Sequence, residues 1–429
     1  MSHRSRSHHA AHLDDDPLED VPEMALVHRG DPVLVTTDEA LAQLLATLRD
    51  DGSFAYDSEF ISEQSYHPRL CLVQVASSST LALIDPLAGL DLTPFWELLA
   101  DPSVTKIVHA GDSDIEPVAR HLKRPAANVF DTQIGAGFAG LPFPVSLKKM
   151  LAEFTGAHLG RDLGFSNWQQ RPLSAVQLRY AADDVRYLPA AHRQMLARLE
   201  TLGHAGHAEE ECAAACAIAR FGFNPHTHYL RVRGGNLLSP HSQAVLKELT
   251  VWRDAAARRH DKPARAFLKD EVMVELARER SGSIAELARV RSLPKAIAEE
   301  FGADIVAAAA QARSLPKSEL PAAEPEQAAA DRFRADALFA VLQCLCAGSS
   351  LDPGLVASRK DFDRFYRHVA HGAGEAPSLL QGWRREAVGE LLQSFVRGQS
   401  GLTMAWEDGA LRTGAAMVNR PPALPQTTP

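Results

Sequence analysis

Asp57-Ser58-Glu59 closes the apolar run Phe54-Ala55-Tyr56. On a strand, side chains alternate from face to face, so these two carboxylates point the same way. Two adjacent negative charges repel unless a cation lies between them, and oxygen-only donors suit a hard divalent ion such as Mg²⁺ or Mn²⁺. A strand that simply ends at the solvent boundary would carry the same residues, so the partners further along the chain matter. Asp114, in His109-Ala-Gly-Asp-Ser-Asp114-Ile, falls near the start of a helix, where an acid is also favoured by the helix dipole. Tyr180 and Asp184, in Tyr180-Ala-Ala-Asp-Asp184, are four residues apart and share a helix face. Asp183 is the alternative ligand if the helical register differs. Asp131, in Phe130-Asp131-Thr132-Gln133, reads as a helix cap, and His109 as a structural hydrogen-bonding residue rather than a general base.

The elements that must position these groups are legible in outline. Pro32-Val-Leu-Val begins a short strand, and Thr37 or Asp38 can cap a helix with Leu41, Leu44, Leu45 and Leu48 at helical spacing. Phe54–Glu59, Leu70–Ala76, Thr80–Ile84 and Thr105–His109 read as strands, with helical Phe95–Leu99 before the last. From Ile115 to about Leu202 the pattern is mainly helical. This order indicates an α/β domain, a mixed sheet flanked by helices, over residues 31–203. Residues 1–30 read as a disordered tail and 204–240 as a connecting segment. Residues 241–314 are helical, with Leu246, Leu249, Trp252 and Ala256 on one stripe. A Pro- and Ala-rich linker spans 315–330, a second small all-α domain 331–415, and a frayed tail 416–429.

The chain of 429 residues is too long for one hydrophobic core. Its composition is that of a globular protein, without an apolar stretch long enough to span a membrane. The N-terminus lacks the apolar core of a secretory signal, and the five cysteines do not fall at zinc-site spacing. A reduced, cytoplasmic protein without a membrane partner is expected. The net charge of −9 is concentrated early: residues 33–200 carry 14 basic against 20 acidic residues, whereas 241–315 carry 13 against 11. The later, mildly basic segments permit phosphate binding. No Gly-x-x-x-x-Gly-Lys-Ser/Thr loop is present, which argues against an ATP-driven helicase.

Taken in order, the Asp-x-Glu, the later Asp and the Tyr-x-x-x-Asp resemble the DEDD 3′–5′ exonucleases of the tyrosine-containing subgroup. The resemblance is closer to the ribonuclease D family. It includes Arg69-Leu-Cys-Leu-Val-Gln-Val-Ala76, His109-Ala-Gly with Asp114-Ile, Leu159-Gly-Arg, Ser166-Asn-Trp168, Arg171-Pro-Leu173 and Tyr180-Ala-Ala-Asp-Asp-Val-Arg-Tyr-Leu188. Leu249, Trp252-Arg-Asp-Ala-Ala-Ala, Lys262-Pro and Phe267-Leu-Lys-Asp-Glu271 are similar to the helicase-and-RNase-D C-terminal (HRDC) module. Asp352-Pro-Gly-Leu-Val-Ala-Ser-Arg-Lys360 with Leu380-Gln-Gly-Trp383-Arg-Arg looks like a second, degenerate copy.

The resemblance implies a ribonuclease H-like nuclease followed by two small helical bundles, acting on RNA with a free 3′ end, in tRNA 3′ maturation. It also implies two divalent cations, Mg²⁺ or Mn²⁺. Asp57 would bridge them, Glu59 and Asp184 would complete the water-activating site, and Asp114 would serve the second ion. Tyr180 would orient the attacking water. Phe60, Tyr66, Lys148, Lys149, Trp168 and Arg171 are candidate nucleic-acid contacts, the aromatic ones by stacking on bases. Arg258, Arg259, Lys262, Arg265 and Lys269 crowd one region that could touch phosphates, although Asp254, Asp261 and Asp270 are interleaved. A monomer is expected. Two rival readings use the same residues: a 3′–5′ DNA exonuclease, and a non-catalytic RNA-binding protein on a nuclease fold.

Overall fold

The computed structural model describes residues 24–160, 163–164, 166–279, 282–287, 289–321 and 329–416. Six strands, β1 (Val33–Val35), β2 (Ser53–Ile61), β3 (Arg69–Ser77), β4 (Leu81–Ile84), β5 (Thr105–Val108) and β6 (Val129–Asp131), form one sheet in the order β1-β4-β3-β2-β5-β6. β3 runs antiparallel to both neighbours and the other pairs are parallel, so the sheet is mixed as expected. β6 lies inside the stretch read as helical. Three residues of parallel edge strand are too few to show an alternating pattern.

Helices α1 (Asp38–Asp51), α2 (Thr93–Leu99) and α3 (Asp112–Leu122) cover one face of the sheet. Leu41, Leu45, Phe95, Leu98 and Val118 pack there against Phe54, Tyr56, Val73 and Val75. Thr37 caps α1, its hydroxyl accepting from the Ala40 amide, and Gly52 ends it at φ 70°, turning the chain directly into β2. On the other face lie α4 (Thr132–Phe138), α5 (Leu147–Thr155), α6 (Ala175–Arg186), α7 (Leu188–Leu202) and α8 (Ala205–Ala215). Ile134, Phe138, Leu151, Val185, Leu188, Met195, Ala208 and Cys212 share that core with Ala55 and Ala76 of the sheet. α8 falls in the segment read as a connector, but its buried Ala208 and Cys212 make it part of the nuclease.

The first helical module begins with α9 (Pro240–Arg259) and has its own core around Leu246, Leu249, Val272, Leu276, Phe301 and Ile305. A buried ion pair, Arg253 to Asp270 at 2.8 Å, joins two of its helices. The second module is not a free-standing bundle. Its Leu342, Leu355, Phe362 and Trp383 belong to the same apolar cluster as Phe138 and Ala208 of the nuclease. Arg384 grips Glu211 of α8 through two bonds of 2.7 and 2.9 Å, and Trp383 Nε1 donates to the same carboxylate at 2.7 Å.

The ends of the chain correct two expectations. Residues 24–30 are held rather than loose: Arg186 donates to the carbonyls of His28 and Gly30, and Val27 packs on the nuclease core. The remainder of that acidic segment, residues 1–23, lies outside the described residues, as do Arg161 and residues 417–429. The region read as helical to its end finishes instead in an antiparallel hairpin, β7 (Gly401–Glu407) and β8 (Ala410–Ala416). Its two-residue turn, Asp408-Gly409 with φ of 51° and 78°, is one that Asp-Gly adopts readily. Among the described residues no helix is long and apolar enough to cross a membrane, and all five cysteines are free.

Candidate active site

β2 presents Asp57 and Glu59 on the face covered by α6, and α6 brings Asp184 over them. Asp57, Glu59 and Asp184 each offer a carboxylate oxygen, all within 4.8 Å of one another. No other such cluster of acid, His or Cys ligands occurs among the described residues. α6 starts at a full capping box, the Ser174 hydroxyl accepting from the Gln177 amide while the Gln177 side chain accepts from Ser174 N–H. That fixed start sets the helical phase that aims Asp184 at β2. Asp183 points elsewhere: it pairs with Arg186 at 2.7 Å and Arg179 at 3.7 Å. Of the two adjacent acids, Asp184 is therefore the one that joins the carboxylate cluster.

Asp114 stands beside this trio rather than in it. It lies in the first turn of α3 and is 4% exposed. Its carboxylate accepts the hydroxyl of Ser58, the residue between Asp57 and Glu59, and its carbonyl accepts the Tyr56 hydroxyl at 2.7 Å. Burial pushes the Asp114 carboxyl well above the usual carboxylate range, and the neighbouring Asp57 charge adds to the rise. Burial likewise pushes Asp57 up to about 6, partly offset by the Ser58 amide. Carboxylates that hold their protons this firmly are short of positive charge. An all-oxygen, all-acid set with that deficit fits a hard divalent cation. Gln74, directly across the ladder from Asp57, is fully buried with both amide atoms unpartnered, so the protein alone does not satisfy this face of the sheet.

The turn that aims α3 rests on Asp131. One of its oxygens accepts from the Ala110 amide at 3.0 Å and from Gln133 at 2.8 Å, and the other accepts from Gly111 at 3.1 Å. Asp131 is thus both the cap of α4 and the brace of the turn that leads to Asp114. At Gly111 a Cβ would lie 2.5 Å from Val108 Cγ2. Gly111→Ala is expected to shift the start of α3 and to lower kcat by roughly ten- to a hundredfold, with little change in the far-UV circular dichroism; a wild-type kcat would show that the turn has slack. His109 bonds Thr132 Oγ1 at 3.0 Å and the Val145 carbonyl at 3.1 Å, and burial lowers its pKa. It braces the same corner and is a structural group, as its place in the sequence implies.

The candidate nucleic-acid contacts divide. Lys148 and Lys149 are exposed on α5, Lys148 donating to the Gly160 carbonyl at 2.5 Å, and Phe60 is half-buried at the end of β2. Trp168, expected as a contact, is fully buried against Cys71, Leu72, Leu83 and Ala181, with its ring 6.1 Å from that of Tyr180. It supports the tyrosine from behind and cannot stack on a base. The Arg171 guanidinium is committed to the protein: it forks onto Asp85 at 2.6 and 2.7 Å and donates to the carbonyls of Cys71 and Trp168. Tyr66, expected to stack on terminal bases, is held by α9. Its hydroxyl donates to Asp254 at 2.5 Å and the Arg258 guanidinium lies over its ring at 4.8 Å. Ser58 and Asp131 carry more of the site than their sequence context suggests. Ser58 lies between two acids of the cluster on the opposite face of the strand, which is the face α3 approaches.

The fold and this site define a class. Residues 32–200 match the family model described as 3′-5′ exonuclease, and residues 242–308 match the HRDC domain. The chain is 36% identical over 366 residues to ribonuclease D of Gluconacetobacter diazotrophicus, covering 84% of this chain and 91% of that protein. It is 32% identical to ribonuclease D of Pseudomonas paraeruginosa, over 83% of this chain and 96% of the relative. The crystal structure of Escherichia coli RNase D, described as an exoribonuclease involved in structured RNA processing, superposes with a TM-score of 0.75 at 28% identity. It covers 86% of this chain and 99% of that one. The chain belongs to the ribonuclease D family and is a hydrolytic 3′–5′ exoribonuclease.

Proposed function

We propose that this enzyme, a cytoplasmic monomer, uses two divalent cations, Mg²⁺ or Mn²⁺, to remove nucleotides one at a time from RNA 3′ ends. It releases 5′-monophosphates and serves tRNA 3′ processing. The observation that carries this reading is the cluster of Asp57, Glu59 and Asp184 within 4.8 Å, with Asp114 beside it. Asp57, Glu59, Asp184 and Asp114 would hold the cations, whose contribution is to generate a strong nucleophile at neutral pH and to offset charge on the leaving oxygen. The chain's own groups do the rest. The carboxylates repel the phosphodiester unless they are neutralised, so an uncompensated site excludes substrate. Tyr180 shares the α6 face of Asp184 and lies against buried Trp168, which limits its rotation. Its phenol donates a hydrogen bond that orients water for attack on phosphorus.

Tyr180→Phe keeps the ring and loses the hydroxyl. A fall in kcat of roughly tenfold to a thousandfold is expected, with KM little changed, because orientation is lost while the acid cluster stays. A larger loss, equal to that of a carboxylate variant, would assign the tyrosine a different role. The function itself is tested by incubating the protein with a tRNA precursor and with single-stranded DNA, in Mg²⁺ and in EDTA, and sizing the products. Stepwise shortening of the RNA to mononucleotides, in Mg²⁺ only, is the expected result. Faster hydrolysis of the DNA would move the assignment to a DNA exonuclease, and no hydrolysis of either would point to a binding protein.

A further inference from the structure

The tip of the β2–β3 hairpin is fastened from outside the nuclease. β2, which carries Asp57 and Glu59, ends at Ile61, and β3 begins at Arg69. A register shift at Glu59/Phe60 interrupts the ladder just past the acids; pairing resumes with Phe60 opposite Leu70 and Ile61 opposite Arg69, and the strand ends there. The loop that follows the shifted end of the ladder is held by the first helical module at three points. The Tyr66 hydroxyl donates to Asp254 at 2.5 Å, the Tyr66 amide donates to Asp261 at 3.0 Å, and Arg258 covers the ring at 4.8 Å. Arg258 is itself paired with Asp254 at 2.9 Å, and the Asp254 side chain is 13% exposed, which shields the contact from water. Burial and the Asp254 charge push the Tyr66 phenol up to about 12, so it remains a donor across the working pH range. The same loop touches the segment leading to α6: Gln169 Nε2 donates to Gln64 Oε1 at 3.3 Å.

We infer that the first helical module is a working part of the active site: through Asp254, Arg258 and Asp261 it clamps Tyr66, and the clamp fixes the end of β2 that carries Glu59. Tyr66 and its partners are positioning residues, acting through Glu59 and Asp57. A module that served only to hold RNA would affect long substrates alone. A module that orders the acid cluster must affect every substrate, including one too small to reach it. This role presupposes the hydrolytic reading of the cluster.

The test compares wild type, Tyr66→Phe and the double variant Asp254→Ala/Asp261→Ala on two substrates. One is a single-stranded RNA; the other is the p-nitrophenyl ester of a nucleoside 5′-monophosphate, which carries one phosphodiester and no chain. The double variant is expected to lose roughly ten- to a hundredfold in kcat on both substrates by the same factor, and Tyr66→Phe a smaller, parallel loss. The Mg²⁺ concentration giving half of the thermal stabilisation should rise in both variants. A loss confined to the RNA, or wild-type turnover of the ester by Tyr66→Phe and by a folded double variant, would overturn the clamp. If the wild-type protein cleaves neither substrate, the hydrolytic reading fails and the clamp falls with it, an outcome visible before any variant is compared.

Discussion

Asp57→Asn is expected to abolish hydrolysis while raising the melting temperature of the metal-free protein. The two effects share a cause. Burial pushes Asp57 up to about 6, and its charge also helps raise Asp114. A carboxyl with a raised pKa in the folded state contributes stability that is complete below its unfolded value, near 4, and is lost as pH rises through the folded value. Above about pH 6 the ionised Asp57 therefore works against folding, and cations that neutralise it are stabilising ligands. Removing one charge relieves the repulsion, so the metal-free variant should melt a few degrees higher than wild type at pH 7.5. It should gain little from Mg²⁺, whereas wild type should gain clearly at pH 7.5 and much less at pH 5.5, where protons compete for the same oxygens. Scanning calorimetry of both proteins, with and without Mg²⁺ at the two pH values, checks each part. A Mg²⁺ shift in the variant equal to that of wild type would remove Asp57 from the cation site.

The acid cluster was legible because each of its members sits on a periodic element. Asp57 and Glu59 follow an apolar strand, and Tyr180 and Asp184 are separated by about one helical turn, so spacing alone assigns faces. What spacing cannot show is which of two adjacent acids is engaged elsewhere. The choice between Asp183 and Asp184 is made by Arg186 and Arg179, and Arg186 is itself fixed by the carbonyls of His28 and Gly30, far away in sequence. The same blindness misassigned Trp168, Arg171 and Tyr66. An aromatic or an arginine near a motif can serve substrate or core, and only the fold shows that Asp85 faces Arg171 or that Asp254 faces Tyr66. The C-terminal hairpin did carry a local signal, Asp408-Gly409 between short alternating runs, outweighed by the helical pattern before it.

The second helical module shows how far tertiary context can depart from a modular reading. A linker and a separate helical pattern suggest an independent bundle, yet Trp383 is 1% exposed and lies edge-on to Phe138 of α4 at 4.7 Å. The two modules thus play different physical roles. The second is continuous with the nuclease core and cannot move without breaking it. The first keeps its own core and meets the nuclease through polar contacts at Tyr66, an attachment that can be altered without unfolding either part.

Asp184→Asn and Asp183→Asn, adjacent and chemically identical substitutions, are expected to give opposite results. Asp184 is 8% exposed and joins the acid trio, so its amide should lower kcat by several orders of magnitude while leaving the melting temperature unchanged or slightly raised. Asp183 takes no part in the trio, and its carboxylate balances Arg186, whose side chain is 1% exposed. Its replacement leaves a buried guanidinium without its counter-charge. Removing one partner of such a pair costs about 3–5 kcal/mol, lessened here by the two backbone carbonyls that still accept from Arg186. Asp183→Asn should therefore melt several degrees lower, keep the wild-type Mg²⁺ shift, and retain most of its kcat at a temperature where it remains folded. The reverse pattern, inactivity in the Asp183 variant and lost stability in the Asp184 variant, would mean that α6 is rotated by one residue relative to β2. The site would then have to be rebuilt around Asp183.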